Sequence, residues 1–104
     1  MQKFYIADKE ILKLQITDKQ FKVYNYWCSQ YNVKTHKAFI NYVQTANDLL
    51  IKVDEVKNII TKLCEVSVGP DPLLAVLDNK EARRIDFDLP RYRTFLKSIG
   101  FLGY

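Results

Sequence analysis

Apolar side chains recur at helical spacing soon after the start of the chain and predict a first helix. Four of them fall on one face of that helix: Phe21, Tyr24, Cys28 and Tyr31. Thr17 and Gln20 stand at the spacing of a capping box, in which each side chain accepts a hydrogen bond from a backbone amide at the start of the helix. We therefore predict a helix over about residues 17–31, with Trp27 beside the apolar stripe and widening the buried face.

Two further helices are predicted in the middle of the chain. His36–Phe39 has the composition of a short strand, and Asn41 is a candidate N-cap for a second helix that continues to about Leu49. A third helix is predicted over Val53–Val66 and should end before Gly69–Pro72, since glycine and proline interrupt helices there.

The two ends of the chain predict shorter elements. Phe4 and Ile6 alternate with other residues as in a strand, and Glu10–Leu14 can form a helical turn. Near the other end, the apolar run Leu73–Leu77 predicts a strand and Asp78–Glu81 a turn.

A second strand and a last helix should follow that turn. The apolar residues Ile85, Phe87 and Leu89 alternate with Arg84, Asp86 and Asp88, as expected of a half-buried strand that turns its acids to solvent. Pro90 suits the first turn of a helix that ends at Gly100. One face of this helix would carry four residues: Tyr92, Phe95, Leu96 and Ile99.

The spacing around the second and third helices predicts that they cross steeply through a tight turn. The apolar positions that produce this pattern are Ala46, Leu49, Ile51, Val56, Ile60 and Leu63. A small residue is needed where two such helices touch, and Ala46 occupies that position. Leu50 stands at the turn position where glycine or asparagine is usual, so we expect a longer or differently shaped turn. Lys52 should be a poor N-cap for the third helix.

This stretch resembles the helix-turn-helix family, and with the preceding helix and the following hairpin it resembles a winged helix. Ala38-Phe39, Asn41–Leu49 and Val53–Val66 are similar to N-terminal domains of plasmid and phage replication initiators, as are Tyr5-Ile6, Glu10-Ile11-Leu12 and Thr17-Asp18-Lys19. The resemblance covers about residues 4–90. It implies a mainly α fold with a small β-hairpin (α+β), in one domain over 1–104. The helix-turn-helix would span about 41–66, the wing about 73–89 and a last helix about 90–99.

The resemblance also implies which residues would contact double-stranded DNA. They lie on the third helix and on the wing: Lys52, Lys57, Asn58, Thr61, Lys62, Lys80, Arg83 and Arg84. Four further lysines are candidates for a flank that binds phosphate: Lys19, Lys22, Lys34 and Lys37. The last helix adds basic residues along one of its sides: Arg91, Arg93 and Lys97. Asp54 and Glu55 oppose this assignment, because acids at the start of the recognition helix repel the DNA backbone.

Charge and composition leave two functions open. The net charge is +4, but residues 41–68 alone carry three lysines against four acids. We therefore expect either a DNA-binding protein of replication or transcription control, of phage or plasmid type, or a winged helix that binds a replication or transcription protein. Tyr26, Tyr42 and Tyr104 are in excess of the core stripes and suit stacking on nucleic acid, anchoring of a protein partner or partial burial. A homodimer is compatible with both functions.

Catalysis, metals and membranes are not indicated. His36 is the only histidine and has no cysteine or carboxylate at ligand spacing, and no glycine-rich phosphate loop is present. We expect no enzyme activity, no metal and no cofactor. Cys28 and Cys64 should be small buried side chains rather than a disulfide. With neither a long apolar segment nor a secretory signal, the expected location is the cytoplasm.

Overall fold

Four α-helices and two antiparallel sheets make up the part of the chain that the computed structural model describes, residues 8–81 and 84–101. The predicted strand at Phe4 and Ile6 lies outside these residues. A short 3-10 helix over Lys9–Lys13 comes first, as predicted for a helical turn there. The other elements are α1 (Asp18–Ser29), β1 (Ala38–Asn41), α2 (Tyr42–Leu49), α3 (Val53–Cys64), β2 (Ser67–Val68), β3 (Asp71–Pro72), β4 (Ala75–Glu81), β5 (Arg84–Asp88) and α4 (Pro90–Ser98).

The predicted capping box starts α1. The Thr17 hydroxyl accepts a hydrogen bond from the Gln20 amide at 3.1 Å, and the Gln20 side chain accepts one from the Thr17 amide at 3.0 Å. The buried face of α1 differs from the predicted stripe. Val23, which the stripe omitted, is fully buried, whereas the predicted residues Phe21 and Tyr31 are only half-buried. The helix ends at Ser29, two residues before the predicted boundary.

The main sheet has the order β1-β5-β4, with all pairs antiparallel. Ala38 lies opposite Phe87 and Asn41 opposite Arg84, so the strand between α1 and α2 pairs with the second strand of the hairpin that follows α3. The strand predicted over His36–Phe39 starts two residues later, because His36 has a φ of 58°, which no strand residue adopts.

The turn predicted at Asp78–Glu81 is wrong, because β4 continues through those residues. Their backbone pairs with β5, with Asp78 opposite Asp86 and Glu81 opposite Arg84, and the register shifts on both sides of Asp78. Such irregularities accommodate turn-forming residues inside a strand. Leu73 and Leu74, predicted to lie in the strand, are buried but precede it.

The predicted end of the third helix is also displaced. Helix α3 ends at Cys64, and the expected helix stop at Gly69–Pro72 forms part of a small hairpin in which Ser67 lies opposite Pro72. Gly69 occupies the turn of this hairpin with a φ of 59°, a conformation that glycine adopts without a steric penalty.

The side chain of Trp27 on α1 contacts both the main sheet and α2. Its ring stacks on Phe87 with centroids 5.2 Å apart, and both side chains are fully buried. The indole N–H donates to the Thr45 hydroxyl at 3.4 Å. A buried ring pair with a satisfied indole contributes both apolar burial and a fixed orientation, so α1, α2 and β5 share one core.

The last helix closes the fold near the start of the described chain. Pro90 begins α4 as predicted, and Tyr92 and Leu96 are buried, whereas the predicted contact residue Ile99 is exposed. The Arg91 guanidinium donates to the Asp8 carboxylate at 2.6 Å, and burial of both side chains makes this a structural ion pair. None of the helices described has the length and apolar character needed to cross a membrane.

The two cysteines have different surroundings. Cys28 is buried in the core, but Cys64 is exposed, so the prediction of two buried side chains holds only for Cys28. Neither forms a disulfide. Cys64 is the last residue of α3 and lies outside the buried stripe of that helix, which explains its exposure.

Candidate nucleic-acid interface

Helices α2 and α3 are joined by only three residues, Leu50, Ile51 and Lys52. Leu50 adopts the left-handed conformation, with φ 58° and ψ 45°. The longer or differently shaped turn that the sequence led us to expect is therefore not formed; the leucine takes the conformation that glycine or asparagine would take. This conformation costs a residue with a Cβ atom roughly 1–2 kcal/mol.

Ala46, the residue predicted at the crossing of the two helices, is buried next to the turn that joins them. Its carbonyl accepts a hydrogen bond from the Ile51 amide at 2.9 Å. The inner face of α3 is formed by four buried residues: Val56, Ile59, Ile60 and Leu63. The predicted pattern omitted Ile59, although its spacing from Val56 and Leu63 would have identified it.

The opposite face of α3 is polar and exposed. Its side chains are Asp54, Lys57, Asn58, Thr61, Lys62 and Glu65. Asn58 and Thr61 lie at its centre, between Asp54 one turn earlier and Glu65 one turn later. Lys52 precedes the helix and makes no side-chain capping hydrogen bond, as predicted. Of the eight predicted DNA-binding residues, four thus share one face of α3 and Lys52 stands at its start.

Two of these side chains have partners within the fold. The Lys57 ammonium lies 5.8 Å from the centre of the Tyr42 ring, so it is directed towards α2 and gains a cation–π contact. The Thr61 hydroxyl donates to the Lys57 carbonyl at 3.2 Å. A hydroxyl bonded in this way still offers acceptor lone pairs to a ligand.

Glu55, one of the two acids that oppose DNA binding, has 36% of its side chain exposed, but it also has a partner within the fold. It accepts a hydrogen bond from the Lys19 ammonium on α1, and this hydrogen bond is the main reason why the pKa of Glu55 is lowered. The ion pair compensates one of the two acids that oppose an anionic ligand at the start of α3. It also occupies Lys19, which was a candidate for the phosphate-binding flank.

The hairpin residues are placed by the backbone of the main sheet. Lys80 belongs to β4 and Arg84 to β5, while Arg83 lies outside the described residues. Because Arg84 lies opposite Asn41, the N-cap of α2, this end of the hairpin is next to the start of α2. The predicted wing therefore extends from the end of the sheet at which α2 begins.

Several of the other predicted basic contacts are used internally. Arg91 is paired with Asp8, and Arg93 Nη1 lies 3.1 Å from a carboxylate oxygen of Asp88. Asp88 was expected to face solvent, but its side chain is only 13% exposed. No local pattern indicates the first pair, since its two residues are 83 positions apart.

Tyr26 and Tyr42, two of the three tyrosines that the core stripes do not require, have partners within the fold. The Tyr26 hydroxyl on α1 donates to Asp48 on α2 at 2.5 Å; burial and this hydrogen bond raise the pKa of Tyr26 to about 12. Burial also raises the pKa of Tyr42, whose ring contacts the Lys57 ammonium. Tyr104 lies outside the described residues.

Other chemistry is sparse on the described surface. Over residues 8–81 and 84–101, no group of three or more histidine, cysteine, aspartate or glutamate side chains is arranged to hold a metal ion. Comparisons of the chain with protein-family models, curated proteins and solved structures gave no match.

Proposed function

We propose that this chain is a winged helix-turn-helix protein that binds double-stranded DNA and acts in replication initiation or transcription control, of phage or plasmid type. The observation that carries the proposal is the pairing of β1 with β5. It sets the strand between the first two helices beside the hairpin that follows α3. In this arrangement, α3 is the recognition helix and the β4–β5 hairpin is the wing.

The outward face of α3 supports this function better than the charge of its segment suggests. With Glu55 paired to Lys19, the exposed charges on α3 and directly before and after it are three lysines against two acids. They are Lys52, Lys57, Lys62, Asp54 and Glu65. The remaining excess is positive, which favours approach to phosphate.

Each polar side chain at the centre of this face has a role in the proposed complex. The Asn58 amide can pair with the N6 and N7 atoms of adenine, and Thr61 can contact a base edge or a phosphate. Lys57 and Lys62 flank them and suit guanine or the backbone. Arg83 and Arg84 would contact phosphates from the hairpin without contributing sequence preference.

A salt titration of binding to random duplex DNA tests the proposal. The logarithm of the binding constant should fall linearly with the logarithm of salt concentration, by about 0.9 per phosphate contacted. Lys62→Gln should reduce that slope by about one, whereas Lys13→Gln should leave it unchanged, because Lys13 is on the 3-10 helix outside the proposed interface. A slope near zero, or no binding at low salt, would overturn the DNA-binding function.

A second function, binding to a replication or transcription protein, is favoured by one surface feature. Val43 near the start of α2 is 44% exposed, and Leu50, which directly follows the helix, is 91% exposed. Helix α2 itself, Tyr42–Leu49, contains no lysine or arginine. Exposed apolar side chains on and beside a helix without basic residues suit a protein partner better than a phosphate backbone. Absence of duplex binding in the titration would leave this candidate.

A further inference from the structure

A second concave surface lies between α4 and the loop before β1. Its cavity has a volume of about 580 Å³ and is lined by His36, Arg93, Thr94 and Lys97. All four side chains are polar, and two are permanent cations at neutral pH. We call these four residues the distal pocket. Arg93 and Lys97 are among the basic residues noted above on the last helix, but the eight predicted DNA-binding residues include none of the four.

The loop holds His36 in place by a closed set of backbone contacts. The His36 amide donates to the Asn32 carbonyl at 2.8 Å, and the Asn32 amide donates to the Lys37 carbonyl at 2.9 Å. The Asn32 side chain accepts from the amides of Lys34 and Thr35. His36 is thereby kept in the left-handed conformation, which residues other than glycine adopt rarely, although histidine, asparagine and aspartate do so more often than the rest.

Two positively charged side chains line the α4 side of the pocket. Arg93 and Lys97 are four residues apart and so are neighbours on the helix surface, where like charges destabilise a helix by a few tenths of a kcal/mol. Asp88 contacts Arg93 through Nη1 and fixes the orientation of the guanidinium. A guanidinium carries five N–H donors in a planar fork, a geometry that suits bidentate binding of phosphate oxygens.

The distal pocket and the start of α3 lie at opposite ends of α1. The contact between Lys19 and Glu55 joins the start of α1 to the start of α3, whereas the loop that holds His36 follows the end of α1. Twelve helical residues, about 18 Å of helix, separate those two ends. The pocket also adjoins the sheet end at Ala38 and Phe87, opposite the hairpin end at Arg84.

We propose that the distal pocket binds a backbone phosphate of a nucleic acid, as a second site apart from the α3 face. A mononucleotide is a poorer fit, because His36 is the one aromatic ring among the four lining residues and the other three are polar or basic side chains that suit phosphate oxygens. A phosphodiester presents only its charged oxygens to the pocket, and its sugars and bases stay outside. The inference rests on the proposed function only in taking nucleic acid as the source of the phosphate.

The first test is a titration of the full chain with inorganic phosphate, followed through amide chemical shifts. Shifts should be confined to residues around His36 and Thr94. The double variant His36→Asn and Lys97→Gln should weaken phosphate binding at least fivefold; asparagine tolerates the left-handed backbone at position 36. The control, Lys9→Gln with Lys13→Gln, removes two exposed lysines on the 3-10 helix and should bind phosphate as the parent does. Equal binding by the pocket variant, or shifts spread over all lysines, would overturn the proposal.

Arg93→Lys provides a variant that keeps a cation beside Asp88 and so protects the fold. It should still bind phosphate more weakly than the parent, because an ammonium lacks the planar fork. Phosphate affinity equal to that of the parent would remove Arg93 from the site.

The second test distinguishes the source of the phosphate. In a Lys57→Gln and Lys62→Gln background, a 12-base-pair duplex should still shift the amides of His36 and Thr94. If the duplex shifts these amides in the parent protein but leaves those of α3 unchanged, the proposed recognition helix fails and the pocket stands. If the duplex shifts only the α3 amides of the parent, the pocket proposal fails and the proposed function stands. A polyglutamate peptide that moves the pocket amides when the duplex does not would assign the pocket to an acidic protein and overturn the proposal.

Discussion

The ammonium group of Lys19 lies against the carboxylate of Glu55 and joins the first turn of α1 to the first turn of α3. This contact divides the two acids at the start of α3 into different classes. Glu55 is compensated within the fold, whereas Asp54 is exposed on the outward face. The cost that acids impose on DNA binding should therefore come from Asp54.

Asp54→Asn should tighten binding to random duplex at low salt by up to about fivefold, because two like charges a few Å apart in water repel by roughly 1 kcal/mol. Glu55→Gln changes the net charge equally but releases Lys19 on α1, so its effect should be smaller. Both variants are measured by fluorescence anisotropy at two salt concentrations. A larger gain from Glu55→Gln would place α1, rather than the outward face of α3, next to the DNA.

The hairpin is tested by replacing Arg83 and Arg84 together with alanine. Because phosphate contacts carry no sequence information, affinity should fall by the same factor for all duplexes, and the salt slope should decrease by up to about two. The Lys9→Gln and Lys13→Gln variant is the control for net charge. An unchanged slope in the arginine variant would exclude the hairpin from the interface.

The helix crossing is tested at Ala46. Leucine at this buried position should destabilise the protein by about 1–3 kcal/mol through overpacking. Asn47→Leu is the matched control, because the side chain of Asn47, the next residue along the chain, is exposed. This substitution should change the free energy of unfolding by no more than about 0.5 kcal/mol. Denaturant unfolding measures both. Equal effects would mean that position 46 does not lie at the contact between α2 and α3.

The helix starts could be predicted from the sequence because their causes are local. Thr17 and Gln20 cap α1 within one turn, and the Asn41 side chain accepts from the Gln44 amide at the start of α2. Pro90 likewise begins α4. Each signal lies within four residues of the helix it starts, so no knowledge of distant partners was needed.

The site details depended on distant partners and could not be predicted in this way. The sequence did not reveal that Lys19 on α1 compensates the charge of Glu55, or that Asp88 packs beside Arg93 instead of facing solvent. Aspartate is common in turns, but pairing with β5 keeps Asp78 in a strand. In each case, a contact from another element overrides the local preference.

The hydroxyl of Tyr26 reports on the contact between α1 and α2. Its pKa is raised to about 12, so the proton that it shares with Asp48 stabilises the folded state fully below the pKa of an unfolded tyrosine, about 10. That contribution is lost as the pH rises through about 12. Asp48→Asn should shift the ionisation of Tyr26 to lower pH in an ultraviolet titration of tyrosinate. Tyr26→Phe should remove this transition, and its persistence would assign it to another tyrosine.

Leu50 provides a test of the turn between α2 and α3, because its side chain is 91% exposed while its backbone is left-handed. Leu50→Gly removes the steric cost of this conformation and loses almost no burial. The greater flexibility of glycine in the unfolded chain offsets part of the gain, so we expect stabilisation by about 0.5–1 kcal/mol.

Leu12→Gly is the matched control for that substitution. Leu12 is also exposed, at 68%, but lies in the 3-10 helix with an ordinary negative φ, so glycine there should destabilise by about 0.5–1 kcal/mol. Opposite signs in chemical denaturation would establish the left-handed turn, and destabilisation by both would contradict it.

The Leu50→Gly variant also tests the two proposed functions. If the protein binds DNA through α3 and the hairpin, its affinity for duplex DNA should be unchanged, because a leucine side chain cannot form a hydrogen bond or an ion pair with phosphate. If α2 docks on a protein instead, loss of this side chain should weaken that complex, because it removes apolar area that the partner would bury.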